Sequence, residues 1–351
     1  MISMSAGSEA DMNQQKRLVT ILFVGETPIR SSPLLTLAQA LQPHGFCPVF
    51  SDQLESRSTS GWLQLIRKSD VVLFVGYHGP DPYMIRQLAL AASLGKPIVR
   101  WWVGSDVLHC LQDPLEAQWA RLADKLCMES VSVAPHLQRE LTSIGLSTKV
   151  IPSVVSAEFL GMEPPQRAGG RDILVYLPTN RGPFYGEEVV ASSIQANPDL
   201  RFVVVADAEH RFKGYQNVES LGWVKDMRPI YDRTGCLLRI TQHDGLPRMV
   251  IETLLLGKYV ICSQEFPGCW VAKNFEDVQN WISVFRKSTA PNTAGATAIK
   301  TLLTPAPEIQ FADLLQKVVR KRNAAVMIRA MLALAPLTML ARRSASVGAR
   351  P

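Results

Sequence analysis

The chain has 351 residues, 47% of them hydrophobic, and a formal net charge of +6. Because a single hydrophobic core stops growing at roughly 250–300 residues, this length predicts two domains. The basic residues are concentrated at one end: residues 317–351 contain eight basic and no acidic residues, whereas the rest of the chain contains 29 basic and 31 acidic ones. This distribution of charge, with a nearly neutral globular part, argues against a nucleic-acid-binding protein.

The first half of the chain alternates apolar strands with helices and short links. The predicted strands are 18–25, 46–51, 71–76, 97–102, 126–133 and 149–151, and the predicted helices are 33–41, 61–68, 82–94, 113–125 and 135–144. This alternation is typical of a parallel, doubly wound sheet, which binds ligands at the carboxyl ends of its strands. The first strand leads into Gly25-Glu26-Thr27-Pro28, which lacks the GxGxxG spacing of a dinucleotide-binding loop.

A Pro/Gly-rich segment, EPPQRAGGR, separates this half from a second alternating half. We therefore assign residues 1–162 to a first domain, 163–171 to a linker, 172–305 to a second domain, and 306–351 to a C-terminal helix and a basic apolar tail. The second domain has predicted strands 173–177, 201–206, 218–224, 236–240 and 259–262, and predicted helices 186–196, 226–234 and 248–256. The predicted fold class is α/β, with two Rossmann-like, doubly wound domains that face each other across a cleft.

Residues 236–262 combine a strand, an acidic loop, a helix and a second strand with two carboxylates, Asp244 and Glu252. The turn Gly245-Leu246-Pro247 precedes the helix, and Gly257 ends it. Asp244 should lie at a carboxyl strand end beside the helix start, and Glu252 about 12 Å further by helical rise. This span suits an elongated ligand better than a single proton. The alternative is an ordinary αβ unit with solvated acidic residues.

The stretch from Asp244 to Glu252 resembles the nucleotide-sugar signature of retaining glycosyltransferases of the GT-B fold, of the family 4 (group 1) type. In that family an acidic residue, a glycine-containing turn and a glutamate eight positions later hold the donor. The resemblance, which extends over roughly residues 18–285, implies that Glu252 bonds the ribose hydroxyls and that Asp244 contacts the hydroxyls of the sugar. Asp244 is one methylene shorter than the family's usual glutamate, which leaves the identity of the sugar open.

Residues 173–186 resemble the first strand and loop of the family's donor domain, where an arginine and a following lysine grip the diphosphate. The resemblance gives Arg181 the first role, but Tyr185 occupies roughly the lysine position. Arg239 and Arg248 are the local candidates to replace that cation, because arginine is the best bidentate donor to phosphate. The alternative for Arg181 is a solvated loop arginine.

Two further features complete the predicted donor site. The segment Leu221-Gly222-Trp223-Val224 resembles the strand and turn beside the nucleobase, which implies that the main chain at Val224 reads the base, whereas Trp223 could equally be a core residue. The helix start from Gly245 to Arg248 should stabilise the departing diphosphate. The histidines and cysteines show no metal-ligand spacing, so we expect no metal and no cofactor, with a nucleoside-diphosphate sugar as the donor substrate.

The acceptor side carries weaker signals. The tract VRWWVGSDV, residues 99–107, resembles a strand and loop of the family that ends in a glycine-x-aspartate turn, but Val103 stands where many members carry histidine. His78, in GYHGPDPY at another strand end, is the candidate cleft histidine, and Asp106 is a candidate base for an inverting reaction. The alternatives are a structural or exposed histidine and an ordinary turn aspartate.

The C-terminal tail suggests a membrane surface. Arg322, Arg329 and Arg343 lie at multiples of seven, nearly on one helical face, in a run too short to span a bilayer comfortably. Such a basic stripe opposite apolar residues is typical of a helix lying in an anionic membrane surface, and packing on the protein itself is the alternative. Scattered cysteines and a polar N-terminus without a secretory signal favour reduced thiols and a cytoplasmic location, with the tail, residues 317–343, attached to the inner face of the membrane.

These features predict a glycosyltransferase that moves a sugar from a nucleoside-diphosphate sugar, held by the second domain, to a saccharide acceptor held by the first. A lipid-linked acceptor would fit the tail and would point to polysaccharide, glycolipid or cell-wall precursor synthesis. The resemblance implies retention of the anomeric configuration. Two alternatives stay open: a catalytically reduced partner subunit that binds nucleotide sugar, and a sugar-modifying enzyme of the same fold such as an epimerase or a phosphorylase.

Overall fold

The computed structural model describes residues 17–25, 33–51, 59–75, 82–163 and 169–321. It contains two six-stranded sheets, and every recorded strand pair in both is parallel. The prediction of an α/β fold with two Rossmann-like halves is therefore confirmed. His78 and the tail from residue 322 onward lie outside the described residues.

The first sheet has the strand order β2-β1-β3-β4-β5-β6. Its central strands are buried on both faces because helices cover both sides of a parallel sheet. The strands are β1 Val19–Val24, β2 Phe46–Phe50, β3 Val71–Val75, β4 Ile98–Trp102, β5 Glu129–Ser132 and β6 Lys149–Val150. The helices are α1 Pro33–Leu41, α2 Thr59–Lys68, α3 Pro82–Ser93, α4 Ser105–Gln112, α5 Pro114–Asp124, α6 Pro135–Ser143 and α7 Ala157–Gly161.

The second sheet has the order β12-β11-β10-β7-β8-β9, so β10 and β7 lie at its centre. The strands are β7 Asp172–Tyr176, β8 Phe202–Val205, β9 Val218–Gly222, β10 Thr234–Arg239, β11 Tyr259–Cys262 and β12 Trp270–Val271. The helices are α8 Glu187–Ala196, α9 Arg228–Arg233, α10 Arg248–Leu255, α11 Phe275–Lys287, α12 Thr293–Leu302 and α13 Pro307–Arg320. The elements α4, α7, α11, α12 and β12 were not predicted from the sequence.

The last described helix, α13, follows the second domain in the chain but packs on the first, against α1 and β3. Its Phe311 is fully buried, and its ring meets that of Trp101 on β4 edge to face, with 5.4 Å between centroids. Such an aromatic pair adds to the free energy that its buried area contributes. The helix thereby ties the end of the second domain to the core of the first.

A membrane-crossing helix would need about 20 consecutive, mostly apolar residues. Among the described residues, no helix meets that requirement.

Phe311→Ala tests the anchoring role of α13. Removing a fully buried phenylalanine should lower the free energy of unfolding by about 3–5 kcal/mol, because apolar contacts are lost and a cavity is left. Urea denaturation followed by tryptophan fluorescence measures the change. Ile309→Ala is the matched control, since Ile309 lies on the same helix with 44% of its surface exposed, and it should shift stability by less than about 0.5 kcal/mol. Equal effects of the two variants would contradict the anchoring role.

Candidate functional site

The loop between β10 and α10, residues 240–247, occupies the carboxyl end of the second sheet and contacts the first domain. The local sequence explains this shape: β10 is apolar and buried up to Arg239, and Pro247 stands as the cap residue before α10. Gly257, with φ of 66°, ends the helix region before β11. The strand, loop, helix and strand order that the sequence predicts for 236–262 is present.

Asp244 is held by a buried arginine from the end of its own strand. Both Nε and Nη2 of Arg239 lie 2.7 Å from Asp244 Oδ2, and the amide of Gly245 donates to Oδ1 at 3.0 Å. Arg239 is only 8% exposed. A buried pair of this kind offsets the cost of removing two charges from water only when its geometry is good, as it is here. The carboxylate is therefore fixed in direction, and it keeps capacity to accept further hydrogen bonds.

Aromatic rings lie between Arg239 and the second candidate cation, Arg181. The guanidinium carbon of Arg239 is 4.8 Å from the ring centre of Tyr176 and 5.3 Å from that of Tyr185. Arg181 is exposed, and its guanidinium carbon is 4.1 Å from the ring centre of Phe184. Ring faces attract cations, so they hold both arginines near the position where the resemblance expects lysine. Burial raises the pKa of the Tyr185 hydroxyl, which keeps it neutral.

Glu252 lies on the partly exposed side of α10, while its neighbours Ile251 and Thr253 are buried. The hydroxyl of Tyr231, a buried residue of α9, donates to Glu252 Oε2 at 2.6 Å. Burial raises the pKa of the Glu252 carboxyl, and the hydrogen bond from Tyr231 opposes that shift. The tyrosine therefore orients the Glu252 carboxylate, and burial of that group moves its pKa upward, toward neutral pH.

The loop 240–247 meets the first domain at two glycines. A Cβ atom built on Gly245 would lie 2.1 Å from the carbonyl oxygen of Val103, and one built on Gly104 would lie 2.8 Å from the amide nitrogen of Gly245. Gly104 also has φ of 150°, which side chains rarely adopt. Both positions therefore require glycine, and the two loops touch through their main chains.

Asp106 lies beside this contact but serves the loop rather than the cleft. It is only 1% exposed, and its carboxylate accepts hydrogen bonds from the amides of Val103, Gly104 and Val107 at 2.8–3.3 Å. These bonds fix the turn that starts α4, which explains a helix that the sequence did not predict. We therefore do not assign Asp106 as a base; its surroundings are those of the turn aspartate that the sequence left as the alternative.

Helix α6 of the first domain makes a second contact with the loop, which sequence analysis missed. The ring nitrogen Nε2 of His136 lies 2.9 Å from the carbonyl oxygen of Asp244, and Nε2 of His243 lies 2.9 Å from Glu140 Oε2. The partners are 108 and 103 residues apart. No local pattern in the sequence could have indicated these pairs.

The remaining predicted residues have different surroundings. Arg248 Nη1 donates to Thr36 Oγ1 of α1 at 2.9 Å, so this arginine also joins the two domains. Leu246 is buried, and Pro247 and Val224 are partly buried. Trp223 is 66% exposed, which excludes the core role left open by the sequence. Among the described residues, no group of three or more His, Cys, Asp or Glu side chains could hold a metal ion.

Comparison with known proteins identifies the fold. No family model matches the chain, and no curated protein is significantly similar to it. HepE from Anabaena, solved in complex with UDP and glucose, is similar to it with 14% identity over 85% of this chain and 100% of that one, at a TM-score of 0.62. The chain is also similar to sucrose-phosphate synthase from Thermosynechococcus elongatus, with 11% identity over 86% of this chain and 99% of that one, at a TM-score of 0.63. A glycosyltransferase from Rickettsia africae is similar with 12% identity over 87% of this chain and 99% of that one, at a TM-score of 0.61.

These likenesses show that the chain has the two-domain GT-B fold, as the sequence resemblance predicts. Assignment to family 4 within that fold stays a prediction. At identities this low the comparisons carry no information on individual side chains, so the roles of the site residues depend on their geometry.

Gly245→Ala tests the close contact between the loop and the first domain. The added methyl group has no room against the Val103 carbonyl, and overpacking of this kind should lower the free energy of unfolding by about 1–3 kcal/mol. Gly214→Ala is the matched control, because a Cβ atom at Gly214 would meet nothing within 4 Å, and it should change stability by less than about 0.5 kcal/mol. Thermal and urea unfolding measure both. A tolerated alanine at position 245 would mean that the loops do not pack this closely in solution.

Proposed function

We propose that the protein is a glycosyltransferase that binds a nucleoside-diphosphate sugar in its second domain and transfers the sugar to a saccharide acceptor bound by the first. The observation that carries this proposal is the pair of oriented carboxylates, Asp244 and Glu252, at the carboxyl end of β10 and along α10, in a loop that contacts the opposite domain. Ligands of open parallel sheets bind at that end of the strands. The GT-B fold, which HepE also has while it binds UDP and glucose, supports the same function.

Glu252 would bind the ribose. A carboxylate can accept hydrogen bonds from two adjacent hydroxyl groups, and the bond from Tyr231 leaves acceptor capacity for them. The nucleobase would then lie toward the end of β9, beside the main chain of Val224. The exposed ring of Trp223 lies next to that position in the chain.

The diphosphate would lie between Arg181 and the start of α10. Arg181 is exposed and rests on the ring of Phe184, so it can turn toward an anion without breaking an ion pair with any of the described residues. The helix start at residues 245–248 would add the amide of Arg248 and the positive end of the helix dipole, since Pro247 has no N–H and the amide of Gly245 already donates to Asp244. The helix start is fixed in advance, so it would stabilise the negative charge that develops as the diphosphate leaves without reorganising, and Arg181 would turn to join it.

Asp244 would orient the sugar, and Arg239 would set the direction of its carboxylate. Arg239, at the end of β10, would also supply the positive charge that the family's lysine provides, because Tyr185 stands at that position in the loop after β7. In this arrangement one buried pair serves both the sugar and the electrostatics of the leaving group. We further propose a retaining reaction by front-face attack, as the family resemblance implies, with no metal ion.

The acceptor and the location of the enzyme are proposals based on the tail. Residues 317–343 carry basic residues among apolar ones, which favours attachment to an anionic membrane surface on its cytoplasmic side. A lipid-linked saccharide acceptor would then be presented at the same surface. This supports a role in polysaccharide, glycolipid or cell-wall precursor synthesis.

A nucleotide-sugar-binding subunit with reduced catalysis is the second candidate, because Tyr185 replaces the expected lysine and Arg239 occupies one oxygen of Asp244. Turnover distinguishes the two. A glycosyltransferase releases nucleoside diphosphate when the acceptor is present. An epimerase converts the donor sugar without any acceptor, and the activity of a phosphorylase depends on phosphate. A binding subunit shows none of these activities.

Glu252→Gln tests the ribose role. A thermal-shift screen of nucleoside-diphosphate sugars first identifies the donor, since a ligand at 100 times its Kd stabilises the folded state by about 2.7 kcal/mol. The variant should then bind that donor about 10–100-fold more weakly by calorimetry, because a hydrogen bond to a charged group contributes roughly 1.5–3 kcal/mol. Glu276→Gln, an exposed change at the start of α11, is the control. Donor turnover that survives replacement of both Asp244 and Glu252 by alanine would refute the site.

The raised pKa of Glu252 predicts a pH dependence of donor binding. The pKa of the Glu252 carboxyl lies above its ordinary value of 4.5 because the group is buried. As the pH is lowered, donor affinity should therefore begin to fall at a higher pH than it would if Glu252 were exposed to solvent. Affinity is present above the raised pKa and lost as the pH falls through it. Calorimetry with the intact nucleotide sugar measures this, since its diphosphate does not titrate in the range. The Glu252→Gln variant should show a flatter profile, and an equal slope in both proteins would contradict the assignment.

A further inference from the structure

We propose that His136 of the first domain is a positioning residue for the donor site: it holds the main chain at Asp244 and so makes the placement of that carboxylate depend on closure of the two domains. The proposal rests on the proposed function in one respect, namely that Asp244 contacts the donor.

The geometry fixes the role of the His136 ring. His136 lies in the first turn of α6 and is 7% exposed. A carbonyl oxygen only accepts hydrogen bonds, so Nε2 of His136 carries the proton and donates it to Asp244 over 2.9 Å. The ring of Phe266 packs edge to face at 5.4 Å between centroids and keeps the imidazole in this orientation.

A second histidine makes the contact reciprocal. His243, the residue before Asp244, reaches Glu140 on α6 at 2.9 Å, one turn after His136. The two imidazole rings are 6.2 Å apart. Residues four apart lie on one face of a helix, so a single face of α6 holds two consecutive residues of the loop. The neighbouring ion pair between Arg139 and Glu265 is exposed and adds little.

Asp244 is thus held from both domains at once. Its carbonyl accepts from His136, its carboxylate accepts from Arg239 and from the amide of Gly245, and Gly245 packs on the main chain of Val103. Arg239 and Gly245 belong to the second domain and stay with Asp244 when the cleft opens. His136 and Val103 belong to the first domain and move away from Asp244 when the cleft opens. Opening the cleft therefore releases the main chain at Asp244 while leaving its ion pair intact.

The contact is made by a neutral imidazole. Nδ1 of His136 is buried with no hydrogen-bond partner among the described residues, and burial lowers the pKa of the ring. The charged and titratable groups that act on the ring are Glu140 and Arg139 from its own helix and His243 from the loop, and Glu265, the partner of Arg139, precedes Phe266 in the chain. Protonation would bury a charged N–H without an acceptor, which favours the open state.

The sign of the pH effect follows from the lowered pKa. Above the ordinary value of about 6.5 the ring is neutral in both the open and the closed state, and closure carries no penalty. As the pH falls below that value the open state takes up a proton first. The closed state therefore loses stability relative to the open one until the pH reaches the lowered pKa of His136.

Hydrogen exchange of the loop amides, residues 241–246, tests the proposal in the full-length protein without any need for activity. His136→Ala should raise exchange of this segment by roughly three- to tenfold, the range expected for loss of one net hydrogen bond. His136→Gln should restore part of the protection, because its amide group can donate to the same carbonyl, and it also serves if the alanine variant folds poorly. His44→Gln, in the turn before β2 and away from the cleft, is the control and should match the wild type. Unchanged exchange in His136→Ala would overturn the proposal.

The pH dependence supplies a readout that a merely structural residue would not change. After correction for the intrinsic rate, exchange of the loop in the wild type should rise as the pH falls below about 6.5, while His136→Gln should show no such rise. A flat wild-type profile would overturn the proposal. With the nucleotide sugar that the thermal-shift screen identifies as the probe, His136→Ala should also bind several-fold more weakly than the wild type.

Kinetics separate this proposal from the proposed function. If the wild type turns over no nucleotide sugar, the proposed function fails, and loop exchange still decides the role of His136. If the wild type is active and His136→Ala keeps both its loop protection and its kcat/KM, the function stands and the positioning role is refuted. A fall in kcat/KM together with faster loop exchange supports both.

Discussion

The main-chain contact between Gly245 and Val103 is the constraint on which the rest of the site depends. Two loops from different domains approach so closely that a Cβ atom at Gly245 or at Gly104 would clash with the main chain of the opposing loop. Asp244 precedes Gly245 directly, so the position of this carboxylate is set by the packing of one domain on the other. Asp106 has a place in the same arrangement, because its bonds to the amides of residues 103, 104 and 107 shape the opposing loop.

Charge compensation inside the site follows one pattern. The two proposed donor-binding carboxylates each have one side-chain partner, Arg239 for Asp244 and the neutral Tyr231 for Glu252. The partner of the first group is charged, whereas the second group has a neutral partner and a pKa that burial raises. Two carboxylates eight residues apart therefore differ in electrostatic character, which suits one to a sugar beside a leaving group and the other to neutral ribose hydroxyls.

The two domains are joined at more than the linker. Helix α13 returns from the second domain to the first and buries Phe311 against Trp101, while α6 and α1 contact the loop before α10 and its first residue. The first of these contacts is apolar and lies in the core. The others are hydrogen bonds at the cleft, each of modest net free energy.

Local sequence patterns are enough to predict the αβ alternation, the two halves, and the unit that carries Asp244 and Glu252, because apolar periodicity, a Gly-Leu-Pro turn and a terminating glycine act over a few residues. The family resemblance also predicts that Tyr185 stands where a lysine is expected. Only the tertiary structure decided that Arg239 pairs with Asp244, that Asp106 is buried in its own turn, and that His136 reaches across the cleft. The hydrogen bond from His136 joins residues 108 positions apart in the chain, and no local pattern encodes a contact that exists only after two separately folded sheets have packed together.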